Sequence, residues 1–101
     1  MSYRLVIRPT AEADISDAAL WYQKQEEGLG SDFLAAVDAA MKRALVNPRQ
    51  FQCVRRRPDV RRVLTSRFPY RIFYILQRDA VVVIRVLHNA RDDREWKQEV
   101  G

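Results

Sequence analysis

Cysteine and histidine are almost missing from these 101 residues, with one of each. A lone Cys53 excludes an internal disulfide framework and any cysteine-rich zinc site, and a lone His88 is equally limiting for metals, so no metal or cofactor is expected. Between Gln52 and Val54, Cys53 reads as a small, half-buried hydrophobe rather than a nucleophile. No apolar run approaches the ~20 residues that span a bilayer. The opening MSYRLVIRPTAEAD has no long apolar core followed by a small-residue cleavage site, so the expectation is a cytoplasmic protein without a signal peptide. Repeats, low-complexity tracts and linkers are also missing. One domain over residues 1–101 is expected, large enough for a single core but with little stability to spare.

Lysine is missing from one half of the chain. From Val54 to Arg94 there are 11 arginines and 4 aspartates, a balance of +7, while the remaining 60 residues carry 7 Lys or Arg against 9 Asp or Glu, a balance of −2. The net charge of +5 therefore belongs entirely to this segment. Arginine offers a planar fork that grips phosphate or carboxylate at two points and stacks on bases, which suits recognition of an anion. A merely solvated basic surface is the plain alternative.

What is abundant there is strand-forming sequence. Two short breaks, Phe68-Pro69 and Arg78-Asp79, divide the stretch into runs rich in Val, Ile, Leu, Phe, Tyr and Thr. The reading is three strands, Arg61 to Arg67, Tyr70 to Gln77 and Ala80 to His88, in an antiparallel meander, because breaks this short permit only hairpins. With Gln77 facing Ala80 and Arg67 facing Tyr70, alternation puts Val63, Tyr70, Ile72, Tyr74, Val81, Val83 and Leu87 on one face. The other face takes Arg62, Leu64, Arg71, Phe73, Ile75, Val82, Ile84, Val86 and His88. Both faces have apolar middles, so one is expected to be covered and the other partly covered. Arg62, Arg71 and His88 then share the margin of the second face; a bulge would exchange these assignments.

The first half is helical. Tyr3 to Arg8 alternates as a strand that Pro9 ends, and Thr10 reads as the N-cap of a helix from Ala11 to about Glu27. Ala11, Ile15, Ala18, Ala19 and Tyr22 recur at spacings of three and four. Glu12, Asp14 and Asp17 complement the macrodipole near its start. After Gly28-Leu29-Gly30, Ser31 reads as the cap of a second helix running to about Val46, ended by Asn47-Pro48. Trp21 lies beside the apolar stripe, and two readings stand open for it: a contact residue for another chain, or a half-buried core residue. Asn47 to Val60, with the run Arg55, Arg56, Arg57, reads as irregular. Asp92 or Asp93 could cap a short helical turn through Trp96.

The expected fold is thus α+β: an N-terminal strand, an antiparallel helical hairpin on one sheet face, a three-stranded antiparallel meander and a short C-terminal helical turn. The N-terminal strand is expected beside the last one, where Leu5 and Ile7 find cover.

This order, with Trp21-Tyr22, Gly28-Leu29-Gly30, Phe33-Leu34, Asn47-Pro48, Phe68-Pro69-Tyr70-Arg71, Phe73-Tyr74, Val86 to His88, Arg91, Asp92 and Trp96, resembles the RelE/ParE superfamily of bacterial type II toxin–antitoxin toxins. The resemblance implies a growth-inhibiting toxin in a hetero-oligomer with an antitoxin whose acidic C-terminal segment wraps around it. Trp21, Arg61 and Arg85 are expected at that contact. One branch of the superfamily cleaves mRNA in the ribosomal A site and the ParE-like branch inhibits DNA gyrase. By position, Arg71 and Arg91 match the family's arginines, and Arg62 falls where a basic residue is usual. Leu64 replaces a second basic residue, and Trp96 and Lys97 stand where a catalytic tyrosine is expected. RNA cleavage needs groups that accept and return a proton near neutrality, and only His88 has a suitable ordinary pKa. The endoribonuclease reading therefore makes His88 the base, with Arg71 and Arg91 holding phosphate; the plain reading makes His88 a strand-end cap. The departures favour a non-catalytic, ParE-like toxin in which Arg62, Arg71 and Arg91 bind an anionic target. A basic nucleic-acid-binding module is a further alternative.

Overall fold

The computed structural model describes residues 2–90. Their elements run β1 Arg4–Ile7, α1 Pro9–Gln25, α2 Leu29–Val46, a 3-10 turn Pro48–Gln50, β2 Cys53–Val54, β3 Arg57–Leu64, β4 Tyr70–Gln77 and β5 Ala80–His88. The five strands form one sheet in the order β1-β5-β4-β3-β2. As expected, the last two strands keep their bounds and β1 lies beside β5, in parallel register from Arg4↔Ala80 to Ile7↔Val83. Arg91, Trp96, Lys97 and the expected turn after Asp92 lie outside the described residues.

Both helix starts differ from the expectation. Arg8 is the N-cap of α1 and Pro9 is its first residue. The proline ring presets a helical φ, and its missing N–H would have no helical partner there anyway, so Thr10 falls inside the helix. Helix α2 begins at Leu29 rather than after Ser31. Its N-cap, Gly28, has φ +90°, a left-handed geometry that glycine adopts without steric penalty. The capping acceptor comes from α1: Gln23 Oε1 accepts from the backbone N–H of Gly28 at 3.1 Å and of Gly30 at 3.2 Å. Gly30 is buried against α1, and a Cβ there would lie 2.7 Å from the Ala19 carbonyl oxygen. Glycine thus sets how closely the two helices approach.

Strand β3 also starts and ends earlier than expected. Val54 pairs with Arg57, so Arg55 and Arg56 form a tight turn and the supposed loop contains β2. At the far end, the Thr65 hydroxyl donates to the Phe68 carbonyl at 2.6 Å and its amide donates to the Tyr70 carbonyl, which turns the chain at Thr65. The pairing is Leu64↔Arg71, not Arg67↔Tyr70. A shift of two residues preserves the faces, because side chains alternate with period two.

The second correction does exchange faces. Tyr74 pairs with Val83 but Phe73 pairs with Arg85, so β5 carries one extra residue, a bulge at Ile84. Beyond it Val86 joins the helix-covered core, Leu87 joins the opposite face, and His88 stands beside Tyr70 on the helix side. The hairpin covers one face through Ala11, Ala18, Phe33, Val37, Ala40 and Ala44, over Val63, Ile72, Tyr74, Val81 and Val83. Burying each large side chain in such a layer contributes roughly 1.5 to 3 kcal/mol. Val60, Phe73, Ile75, Val82, Ile84 and Leu87 form a second buried cluster on the other face.

Candidate functional site

Arg62 on β3 pairs with Phe73, and Arg71 on β4 pairs with Leu64, so the two arginines are diagonal neighbours on the face away from the helices. Arg71 is 7% exposed. Its Nη2 donates to the His88 carbonyl oxygen at 3.3 Å, and its Cζ lies 5.4 Å from the Phe73 ring centroid, a cation–π contact. Burial, and secondarily the Arg62 charge, hold the Arg71 guanidinium below the ordinary arginine range. Arg62 donates from Nη2 to Gln52 Oε1 at 3.4 Å. Next to it, Arg43 of α2 donates to the Leu64 carbonyl oxygen at 2.8 Å. A cavity of about 290 Å³ opens between Arg43, Phe51, Gln52, Arg62 and Leu64. Leu64 is 55% exposed at its mouth. Two guanidinium groups around an apolar socket can recognise a carboxylate or phosphate carried on an apolar group. They supply no group that exchanges a proton near neutrality.

His88 is not part of this cluster. Its ring lies edge-on to Tyr70, with centroids 5.2 Å apart, on the helix side of the sheet. Its Nδ1 accepts from the Ala90 amide at 3.0 Å, so the neutral ring carries its proton on Nε2. With Asp14, Asp17, Trp21 and Tyr70 it lines a separate hollow of about 260 Å³. The expected grouping of Arg62, Arg71 and His88 at one margin is therefore corrected: the bulge at Ile84 puts His88 across the sheet from both arginines.

The other expected contact residues are distributed as follows. Trp21 is 57% exposed and rests edge-on against Tyr22, with ring centroids 5.1 Å apart. Arg61 staples the chain before β2, donating from Nη1 to the carbonyls of Arg49 at 2.9 Å and Phe51 at 2.7 Å. Arg85, two residues after the core residue Val83 and so on the helix side, makes a two-point pair with Asp14 at 2.7 and 3.0 Å. Asp14 also accepts from the Val86 amide at 3.0 Å. The sequence reading assigned Asp14 only to the helix dipole. Its position three residues after Ala11 and four before Ala18 puts it on the buried stripe, and an acid there signals an internal partner. Arg43 was also missed, since nothing local to α2 points to Leu64. Among the described residues no group of three His, Cys, Asp or Glu could hold a metal ion, and no helix is long and apolar enough to cross a membrane.

Comparison with known proteins gives two consistent results. Residues 5–93 match the family model for the ParE toxin of the type II toxin–antitoxin system, parDE. No curated protein matches the sequence. Among solved structures, the chromosomal ParDE toxin–antitoxin system of P. aeruginosa superposes with a TM-score of 0.76 at 15% identity, over 85% of this chain and 95% of that one. The toxin–antitoxin complex RelBE2 of Mycobacterium tuberculosis gives 0.59 at 22% identity, over 87% and 99%. A variant of E. coli toxin RelE in the free state gives 0.62 at 20% identity, over 98% and 94%. At these identities the structures establish a shared fold.

Proposed function

Because this chain belongs to the ParE toxin family of type II toxin–antitoxin systems, we propose that it arrests growth by gripping DNA gyrase rather than by cutting RNA. One observation carries this reading: the His88 imidazole and the Arg62–Arg71 pair stand on opposite faces of the sheet. Cleavage through a 2′-hydroxyl needs the proton acceptor and the phosphate-holding groups around one phosphorus, within hydrogen-bond reach of it. A binding toxin needs only the anion-recognising face, here Arg62 and Arg71 with Arg43 and Leu64 beside them. Arg91, the third expected arginine, is proposed to bind the same anionic target.

The partner proposed is a cognate antitoxin with an acidic C-terminal segment, consistent with the toxin–antitoxin assemblies among the structural relatives. Trp21 is its anchor, as an exposed aromatic beside the Asp14–Arg85 pair. Arg61 and Arg85 act mainly through what they hold in place. The complex is proposed to reside in the cytoplasm.

A supercoiling assay with purified gyrase tests the target. The protein should inhibit it, and Arg62→Gln should weaken inhibition about tenfold or more, on the scale of one lost charge-assisted contact, with a melting temperature near the parent's. Primer extension on translated mRNA supplies the opposing outcome. A-site cuts that disappear in His88→Ala would establish the endoribonuclease instead.

A further inference from the structure

Among the described residues, three other than glycine have left-handed backbone angles, and all three are arginines: Arg56 at φ 71°, Arg67 at 70° and Arg78 at 56°. Each sits in a turn between strands, where glycine or asparagine would adopt the same angles with less strain. Turn chemistry alone therefore does not account for arginine at these positions.

Two of the three lie at the same end of the sheet. In a meander the β2–β3 and β4–β5 turns share an end, so Arg55 and Arg56 stand at the same end of the sheet as Arg78. Arg4 joins them from β1, pairing with Ala80 and donating its amide to the Asp79 carbonyl. Few carboxylates reach this end: Asp59 holds Arg57, and Asp79 meets Arg4 at 3.3 Å in an exposed pair. Among the described residues no carboxylate is in ion-pair range of the exposed Arg55, Arg56 or Arg78. A cleft of about 600 Å³ opens there, with Arg4, Arg8, Arg78 and Gln77 at its rim over Val6 and Val82.

The chemistry of this end distinguishes its partner. A protein ligand of stable affinity needs an apolar anchor, yet none of the exposed large hydrophobic residues Leu20, Trp21, Leu34, Val46 and Leu64 lines the cleft. No aromatic side chain lines it either, so unpaired bases have nothing to stack on. What remains is a row of guanidinium groups. From β1 to β3 it spans three strand spacings, roughly 14 Å, which matches the axial rise of about four phosphates on one strand of a duplex. We infer that this end of the sheet, with Arg4, Arg55, Arg56 and Arg78, is a docking site for the phosphate backbone of double-stranded nucleic acid. It is separate from the Arg43–Arg62–Arg71 face and indifferent to base sequence.

Fluorescence anisotropy with a labelled 20-base-pair duplex of mixed sequence, as DNA and as RNA, across salt concentrations tests the site. The full-length protein should bind with a steep salt dependence. Arg4→Gln with Arg78→Asn should reduce the log–log salt slope by about 1.8 and weaken binding on the order of tenfold per arginine near 0.1 M salt. Arg78→Asn alone should melt no lower than the parent, because asparagine tolerates the left-handed turn better than arginine does. Growth arrest should persist in both variants, which keeps failure here distinct from failure at the gyrase target. An unchanged slope in the double variant, or tighter binding of poly-glutamate than of either duplex, would overturn the inference.

Discussion

Replacing Tyr74 with phenylalanine removes one oxygen and should change both the stability of the protein and its dependence on pH. Tyr74 is fully buried in β4, and its hydroxyl donates to the Pro48 carbonyl at 2.6 Å, fastening the sheet to the turn after α2. Losing the bond while leaving that carbonyl buried should cost about 1 to 3 kcal/mol near neutral pH. For a domain of this size that corresponds to a fall in melting temperature of roughly 4 to 8 °C per kcal/mol. Burial, partly opposed by the Arg61 charge, pushes the Tyr74 hydroxyl from 10.0 up to about 12. The unfolded chain therefore releases this proton near pH 10 while the folded chain keeps it, so stability is intact below pH 10 and declines as pH rises toward 12. At about 1.4 kcal/mol per unit the full loss is about 2 to 3 kcal/mol. Phenylalanine has no proton to lose. The deficit of Tyr74→Phe should thus be largest at pH 7 to 9 and shrink to nothing, or reverse, above pH 11.5. Urea unfolding followed by circular dichroism at several pH values reads the difference directly. A deficit that stays constant from pH 7 to 11.5 would refute the reasoning, since it would mean that the hydroxyl titrates alike in both states.

Three further substitutions test other joints. Gly30→Ala gains about 1 kcal/mol in helix propensity, but its methyl would meet the Ala19 carbonyl at 2.7 Å. Backbone does not yield cheaply, so a net loss of about 1 to 3 kcal/mol is expected by thermal melting; a stabilised variant would show that the helices can part. Gln23→Ala removes the acceptor for two amides at the start of α2 and should cost about 0.5 to 2 kcal/mol, whereas Gln23→Glu should retain most of the stability. Trp21→Ala should leave stability within about 1 kcal/mol and lower affinity for the cognate antitoxin at least tenfold by calorimetry, as expected for an exposed aromatic anchor; undiminished affinity would place the contact elsewhere.

The parts of this architecture that depend on local pattern were readable in the chain. Strands β4 and β5 kept their ends because the tight Arg78-Asp79 turn leaves little freedom, and Ala11, Ile15, Ala18, Ala19 and Tyr22 of α1 joined the helix-covered core as their spacing requires. The rest depends on tertiary partners. Strand β2 has only two residues and no alternation to detect. The cap of α2 comes from a glutamine on the preceding helix, so the local Ser31 was a misleading signal. The bulge at Ile84 carries no glycine or proline, and its partner at Asp14 is 71 residues away from Arg85. That one unannounced residue is why the expected association of His88 with Arg71 was not recovered. The arginine clustering, by contrast, was visible as charge, though not the fact that it divides between a sheet face and a sheet end.

The parallel contact between β1 and β5 joins the two extremes of the described chain, Arg4 meeting Ala80. On a ribosome emitting about 5 to 20 residues per second, the first strand must wait, unpaired, until β5 has emerged. The arginine row at the sheet end needs both strands, so it is assembled only once β5 has been made. A nascent chain stalled before Ala80 should accordingly leave the amides of Arg4 to Ile7 open to hydrogen exchange, and their protection at that stage would argue for a different order of assembly.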